Sequence, residues 1–444
     1  MKNILVLGAG RSSSALISYF IKNAPANDWH LTVGDFSLQA AKEKTQHSTA
    51  KAIEFNIENT ENSRSVIRQA DVVVSLVPAS LHPKVAAVCL QEGKHLITAS
   101  YVSDEMKSFD TEAKAKGLLF LNESGLDPGI DHMSAMQVIN RIKQEGGEVY
   151  SFESFTGGLI APSTDPDNPW RYKFTWNPRN VVVAGQGTAK FLQDGLFKYI
   201  PYQQLFTRTT PVLVPGLGEY DGYANRDSLK YVEVYGLQQC KTIVRGTLRN
   251  HGYCQAWNLL VQLGCCDDTF MMEGIDKLTH RGFIASFLGT DKNVEDEIAN
   301  RFGVARQGEE MRRLSWSGFF SDEKVGLAHA TPAQALEHIL NKKWKLNPGD
   351  KDLIVMWHRF RFLHNGKMSE TQAWLTATGE DETHTAMAKT VGLPLAIATK
   401  LLLQNKIRSR GVLIPVTDEF YNPILKELNQ LGVELRETTV PAGN

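Results

Sequence analysis

The first 125 residues alternate between short apolar runs and stretches with helical periodicity. Ile4–Leu7, Leu31–Val33, Ala52–Phe55, Val72–Leu76, His95–Thr98 and Leu118–Leu121 read as strands. Between them, Ser12–Lys22, Ser37–Thr45, Ser63–Gln69, His82–Glu92 and Glu105–Lys116 read as helices. Near-continuous apolar strands, each followed by a helix, predict a parallel, doubly wound sheet covered on both faces.

A helix beginning near Asp131 follows, closed by Gly146-Gly147. From Val149 to about Arg249 the pattern shifts to strand-like runs with aromatic residues and long loops, among them Thr164–Trp170. Residues 251–345 turn helical again, and Leu353–Leu363 and Gln372–Thr378 then flank Asn365-Gly366, a hairpin signature. A helix over Thr383–Gln404 and a last strand–helix–strand (Val412–Ile414, Asn422–Leu431, Val433–Leu435) complete the chain. The expected class is α/β: a doubly wound parallel sheet plus a second mixed α/β domain with a small helical insertion. The expected boundaries are 1–128 for a dinucleotide-binding domain, 129–250 with 346–410 for a substrate and dimerisation domain, 251–345 for the insertion, and 411–444 for the terminal segment.

Composition narrows the partners more than the fold. The 444 residues allow two or three domains, and 42% apolar with 22% charged content excludes disorder, collagen and a disulfide-stapled miniprotein. Lys and Arg number 48 against 49 Asp and Glu, with no basic half, so nucleic acid is not an expected partner. A membrane is not expected either: MKNILVLGAG is too short for a secretory core, and Pro394 and Lys400 interrupt the apolar stretch Val391–Leu403. Five cysteines without a C-x-x-C pair indicate reduced thiols in a cytoplasmic protein, with no metal site. A vicinal redox pair at Cys265-Cys266 is the less favoured alternative to plain packing.

Gly8-Ala9-Gly10-Arg11-Ser12-Ser13 carries the first chemistry, directly after a strand and opening a helix. The first glycine permits a tight turn, the second lets a pyrophosphate approach the backbone, and Ser13 is small enough for helix–strand packing. The second strand ends at Gly34-Asp35-Phe36, where a carboxylate accepts hydrogen bonds from an adenosine ribose and repels a 2′-phosphate. Together these predict a Rossmann-type domain binding NAD, with NADP as the second choice because Arg11 can reach a phosphate. The competing reading of Asp35 is a cap for the next helix. Leu76-Val77-Pro78 follows a strand in the same domain and either lines the cofactor cleft or is a plain strand exit.

Glu123–His132 (ESGLDPGIDH) forms a tightly specified turn into a helix. Asp131 is expected to cap that helix and His132 to be a packed neutral histidine, whereas Asp127 has no such structural task. Further on, Arg245, Thr247 and Arg249 share one strand face, and Asn225-Arg226-Asp227-Ser228 precedes them. Arginine forks suit carboxylates, although surface salt bridges explain the same residues equally well. For Lys173 and Trp176, in an alternating aromatic strand, core edge and site are not separable by pattern.

Several of these strings together resemble the glutamate-forming saccharopine dehydrogenases, also called saccharopine reductases. The carrying segments are GAGRSS, ASYVSDEM, NESGLDPGIDH, FTGGL, NPWRYKFTWNPR, NRDSLKYVEVYG, IVRGTLR and TAMAKTVGLPLAIA, in the family's order. The resemblance implies NAD(P)-dependent oxidation of saccharopine to L-glutamate and 2-aminoadipate 6-semialdehyde, or the reverse, within lysine metabolism. Hydride would leave the lysine-derived ε-carbon for the nicotinamide, and water would add to the resulting iminium. It also implies substrate contacts at Ser100, Tyr101, Asp127, Arg226, Thr247, Leu248 and Arg249. Cofactor contacts are implied at Leu76, Val77, Pro78, Leu126, Asp127 and Pro128, with Asn56 and Ile57 near the adenine. Asp127 and Tyr101 are the candidates for acid–base work. The family's fungal NADP users look basic after the second strand, where this chain has Asp35; that difference favours NAD. The expected partners are small molecules, with a homodimer left open. Lysine 6-dehydrogenase and carboxynorspermidine dehydrogenase share part of these motifs and compete on substrate. A non-catalytic dinucleotide sensor is the alternative of another class, and it would not need Asp127, Arg226 and Arg249 together.

Overall fold

The computed structural model describes residues 1–184 and 186–441. It contains two compact units, one formed by Met1–Gly147 with Leu375–Arg436 and the other mainly by Glu148–Trp374.

The first unit is built on strands β1 (Lys2–Leu7), β2 (Trp29–Asp35), β3 (Lys51–Glu54), β4 (Val72–Ser75), β5 (His95–Thr98) and β6 (Leu119–Leu121). They run parallel in the order β3-β2-β1-β4-β5-β6, with the late strand Gly411–Leu413 added beside β6. That order is the doubly wound dinucleotide fold, with its switch point between β1 and β4, where ligands collect at the strands' carboxyl ends. The alternation of apolar runs and helices specified this sheet because strands covered on both faces need apolar residues at every position.

The second unit holds a mixed sheet. Its strands are β7 (Glu148–Ile160), β8 (Ala189–Gln193), β9 (Leu196–Ile200), β10 (Thr210–Val214), β11 (Gly218–Ala224), β12 (Thr242–Arg249), β13 (Asp352–His364) and β14 (Lys367–Thr378). They lie in the order β10-β11-β12-β7-β13-β14, closed by the terminal strand Leu435–Pro441, with the β8–β9 hairpin attached to β12. β7 and β12 are parallel while β11 and β13 run antiparallel to them. Asn365 and Gly366 both have positive φ, as the expected tight hairpin requires. Helices from Tyr253 to Trp344 share one core with the aromatic residues Trp170, Tyr172, Phe174 and Tyr223.

The allocation of late elements differs from the sequence expectation. The helix Ile130–Gln144, placed with the second domain from sequence, belongs to the first unit. So does the helix Ala386–Leu403, which packs along the helix Ser14–Asn27 that follows the glycine turn. The reason is steric: a Cβ on Gly392 would lie 2.8 Å from the Leu16 amide nitrogen, so only glycine permits the approach. The segment after 410 is likewise no separate unit, since Gly411–Leu413 joins the first sheet and the helix Asp418–Gln430 packs on Ile130–Gln144. Ala386–Leu403 is apolar and long enough to cross a membrane by composition, but 78% of it is buried inside the protein.

Gly392→Leu should force these two helices apart and destabilise the fold by about 1–3 kcal/mol, the usual cost of overpacking. A urea midpoint equal to that of the wild type would show that the close approach is dispensable.

Candidate active site

The glycine turn leaves β1 at Leu7 and enters a short helical turn, Arg11–Ser13, before the helix Ser14–Asn27. Gly8 has φ +104°, and a Cβ there would meet the Leu76 carbonyl oxygen at 2.9 Å, so the turn after β4 abuts the turn after β1. Gly10 is different: a side chain on it would meet nothing within 4 Å. That open space at the start of the helix is where backbone amides favour a phosphate, and the residues present fit a dinucleotide. Ser13 is buried and its hydroxyl donates to the Gly10 carbonyl at 2.8 Å, while Ser12 is half-buried and Arg11 exposed.

Asp35 holds two main-chain amides and does not cap the next helix. Its Oδ2 accepts the Ala9 amide at 2.7 Å, which braces the glycine turn, and its Oδ1 accepts the Ser37 amide at 2.8 Å. Ser37, not Asp35, is the cap of the following helix. A carboxylate has about four acceptor sites, so these two bonds leave capacity for a ribose hydroxyl. Phe36 beside it is 77% exposed, an apolar face next to the cofactor turn. Asn56 accepts the Glu58 amide at 2.9 Å and Ile57 is buried, so both shape the turn after β3. Leu76 and Val77 are half-buried and Pro78 is exposed.

After β6 the chain is buried from Leu118 to Met136 with one exception, Asp127. The turn closes through Gly125, whose amide donates to the Pro128 carbonyl at 2.9 Å, and through Ile130, whose amide donates to the Gly125 carbonyl at 2.9 Å. The Asp127-Pro128 peptide is cis. Tyr101 donates its phenol to Asp127 Oδ1 at 3.2 Å, bringing the two acid–base candidates together. Leu126 and Pro128 are buried on either side of Asp127.

Two expectations for this turn need correction. Asp131 is the second residue of the helix Ile130–Gln144 and does not cap it; its Oδ1 reaches back to the Gly129 amide at 2.6 Å. His132 is fully buried as expected, yet it is not simply packed: its Nε2 lies 2.7 Å from Glu123 Oε2. Glu123 Oε1 in turn accepts the Val102 amide at 3.0 Å, so the buried pair fixes the segment that carries Tyr101. Sequence pattern also passed over His82. Its Nδ1 is 2.9 Å from Ser75 Oγ, and its Nε2 is 2.8 Å from Ser100 Oγ and 3.2 Å from Thr98 Oγ1. A lone histidine before a proline carries no local signal of such a role.

In the second unit the two arginine-bearing motifs are stitched together. Asn225 donates to Thr247 Oγ1 at 2.7 Å, and its amide donates to the Arg245 carbonyl at 3.0 Å. Asp227 Oδ1 accepts the Leu229 amide at 3.0 Å, and Ser228 Oγ accepts the Arg245 amide at 2.9 Å. Arg226 sits at the tip with φ +51°, its side chain exposed and its carbonyl accepting the Lys190 amide at 2.8 Å. Arg245 stacks on Tyr231 at 4.2 Å. Arg249, 5% exposed, stacks between Tyr172 and Tyr253, 5.0 and 5.1 Å from their ring centres. The guanidinium donates from Nη1 to the Leu248 carbonyl at 3.0 Å, and its Nε has no acceptor among the described residues. Burial pushes the phenols of Tyr172, Tyr223 and Tyr253 up, so the residues around Arg249 stay neutral. Leu248 points its side chain into the apolar core with Phe155, Leu159 and Leu353, leaving only its main chain for a ligand.

The structure also resolves residues left open by pattern. Lys173 is fully buried between Asp350 at 2.7 Å and Asp165 at 3.0 Å, a structural ion triad that ties down the Thr164–Trp170 loop. The five cysteines are buried thiols, and burial pushes Cys266 up to about 12 and Cys265 well above its usual value, which suits packing and not redox exchange. Among the described residues no group of His, Cys, Asp and Glu is arranged to hold a metal ion.

Comparison with known proteins matches both parts of the chain. Residues 4–121 match the saccharopine dehydrogenase NADP binding domain and residues 125–433 the saccharopine dehydrogenase C-terminal domain. The chain is 32% identical over 456 residues to the saccharopine dehydrogenase [NADP(+), L-glutamate-forming] of Saccharomyces cerevisiae, covering 99% of each. It is 33% identical to the mitochondrial alpha-aminoadipic semialdehyde synthase of Bos taurus over 97% of this chain but 47% of that protein. The chain thus spans about half the length of such synthases. The apo saccharopine dehydrogenase (L-Glu forming) structure from Saccharomyces cerevisiae superposes with a TM-score of 0.89 at 30% identity, covering 99% of this chain and 100% of that one. A homospermidine synthase from Legionella pneumophila in complex with NAD shares the fold at a TM-score of 0.55 and 10% identity. The domain description and the yeast name both carry NADP, the second choice of the sequence reading.

Asp35→Ala removes the carboxylate at the end of β2 and one brace of the glycine turn. A charge-assisted hydrogen bond is worth about 1.5–3 kcal/mol, so the ratio of NAD to NADP affinity should fall by about ten- to a hundredfold. Titration of each dinucleotide by fluorescence quenching measures it, and an unchanged ratio would remove Asp35 from cofactor choice.

Proposed function

The chain belongs to the saccharopine dehydrogenase family, and we propose that it acts on L-saccharopine. The reaction is oxidative cleavage to L-glutamate and 2-aminoadipate 6-semialdehyde, or the reverse reductive condensation, in lysine metabolism. A bound NADP or NAD would supply the hydride acceptor at the carboxyl ends of β1 and β4. The protein's own task is to hold a flexible polyacid, orient its secondary amine and move protons while water adds across the oxidised C–N bond.

The single observation that supports a polycarboxylate substrate is the state of Arg249. A buried cation normally has a carboxylate beside it, because an unpaired charge in a poorly solvated site is costly. Around Arg249 the described residues supply aromatic faces and neutral hydroxyls, and Nε still lacks an acceptor. A ligand carboxylate completes that set, accepting from the planar fork. Thr247, two residues back on the same strand face, and the exposed Arg226 are positioned by their motifs to serve further polar groups.

For proton transfer the best-supported pair is Tyr101 and Asp127. A phenol that donates to Asp127 Oδ1 keeps that carboxylate oriented and sets two groups able to exchange a proton side by side. Asp127 stands at the open end of an otherwise buried turn, so the carboxylate is held firmly and still reachable. Ser100 adds a hydroxyl on the same segment.

Purified protein with saccharopine and either oxidised cofactor should raise the absorbance of reduced nicotinamide. Crossing saccharopine and lysine with both cofactors separates the readings, because turnover of lysine alone would assign a lysine 6-dehydrogenase and no turnover a dinucleotide sensor. Arg249→Met should raise KM for saccharopine by about a hundredfold, within the 2–5 kcal/mol expected when a buried charge loses its partner. The exposed Arg226→Ala should cost less, and cofactor affinity should hold within about twofold in both variants. A matching loss of cofactor affinity would mark a folding defect instead.

A further inference from the structure

We infer that His82 is a positioning residue that connects the cofactor turn to the substrate segment through its two ring nitrogens. The inference rests on the substrate reading of Ser100 and Tyr101 given above and extends it to a residue with no assigned part.

The geometry lies wholly within the first unit. His82 opens the helix His82–Glu92, seven residues after Ser75 at the end of β4. Ser75 immediately precedes Leu76-Val77-Pro78, and the Leu76 carbonyl is the group that Gly8 approaches. On one side, His82 Nδ1 contacts Ser75 Oγ at 2.9 Å; on the other, Nε2 contacts Ser100 Oγ at 2.8 Å and Thr98 Oγ1 at 3.2 Å. The ring is 3% exposed, and burial pushes its pKa down to about 4. It is therefore neutral at working pH, with one nitrogen donating and the other accepting.

A neutral imidazole between hydroxyls selects their rotamers. Ser100 Oγ shares the histidine nitrogen, so its second bonding direction is set, and that direction is what a substrate amine or carboxylate would meet. Ser100 also heads the Ser100-Tyr101-Val102 segment, whose far end is fixed by the Val102 amide on Glu123. The segment that presents Tyr101 to Asp127 is thus held at both ends by buried side chains, His82 at one and the Glu123–His132 pair at the other. Their common effect is to hold the substrate-facing hydroxyls still, which lowers the ordering cost of binding and keeps the reacting geometry within reach.

The test is a set of variants assayed on the whole protein. His82→Leu, similar in size but without polar nitrogens, should raise KM for saccharopine about tenfold while the dissociation constant of NADP stays within twofold. His82→Gln, which can still reach Ser100 from the Nε position, should recover most of that loss. The double variant His82→Leu/Ser100→Ala should bind saccharopine no worse than Ser100→Ala alone, because the two act through one hydroxyl. Additive losses, a Gln variant as poor as Leu, or an unchanged KM in His82→Leu would each overturn the inference. If His82→Leu fails to fold, His82→Asn, whose amide matches the Nδ1 position and falls short of Ser100, takes its place in the same comparison. Should the wild type not turn over saccharopine, the functional reading fails separately. The positioning is then read from ¹⁵N-histidine NMR, where Ser100→Ala must shift the Nε2 resonance of His82, and an unmoved resonance overturns it.

Discussion

Between Gly125 and Gly129 the chain closes so tightly that a Cβ on Gly129, at φ +149°, would stand 2.0 Å from the Gly125 carbonyl oxygen. Two consequences follow from that closure. The helix Ile130–Gln144 starts in a fixed direction, with the Ile130 and Asp131 amides donating to the carbonyls of Gly125 and Leu126. And every side chain in the turn except Asp127 is forced inward, so its polar groups must find partners inside the protein. Glu123 does so with His132 and with the Val102 amide, which draws in the neighbouring segment that carries Tyr101. A backbone constraint in one turn therefore sets where the candidate acid–base pair stands.

The second unit shows the same logic applied to charge. Two of the cations it buries, Lys173 and Arg249, differ in what surrounds them. Lys173 has carboxylates at 2.7 and 3.0 Å and needs nothing more. Arg249 lies between tyrosine rings and donates to a main-chain carbonyl, an arrangement that solvates the guanidinium weakly without neutralising it. The contrast separates a cation paired inside the fold from the one proposed to take a substrate carboxylate. A net charge of −1 over the chain hides both, since long-range balance says nothing of local excess.

Much of this was legible in the residues themselves. The parallel sheet, the glycine turn, the Asn-Gly hairpin and the helical segment all follow from neighbour-to-neighbour patterns. Asp35 could be placed at the cofactor turn because the strand and turn that lead to it are local. Its second task, bracing Ala9 across 26 positions, could not. The allocation of Ala386–Leu403 failed for the same reason: what decides it is a missing Cβ at Gly392 opposite Leu16, a contact nearly the whole chain apart.

By itself the sequence determined which segments become strands and helices, which turns demand glycine, and which residue types were available for carboxylates, phosphates and protons. These depend on φ and ψ preferences and on burial periodicity, which act within a few residues. Tertiary structure alone decided that Lys173 is consumed by two aspartates, that Leu248 faces the core, and that His82 joins Ser75 to Ser100. Hydrogen bonds and ion pairs form at about 3 Å, and only the closed fold brings residues distant in sequence to that range.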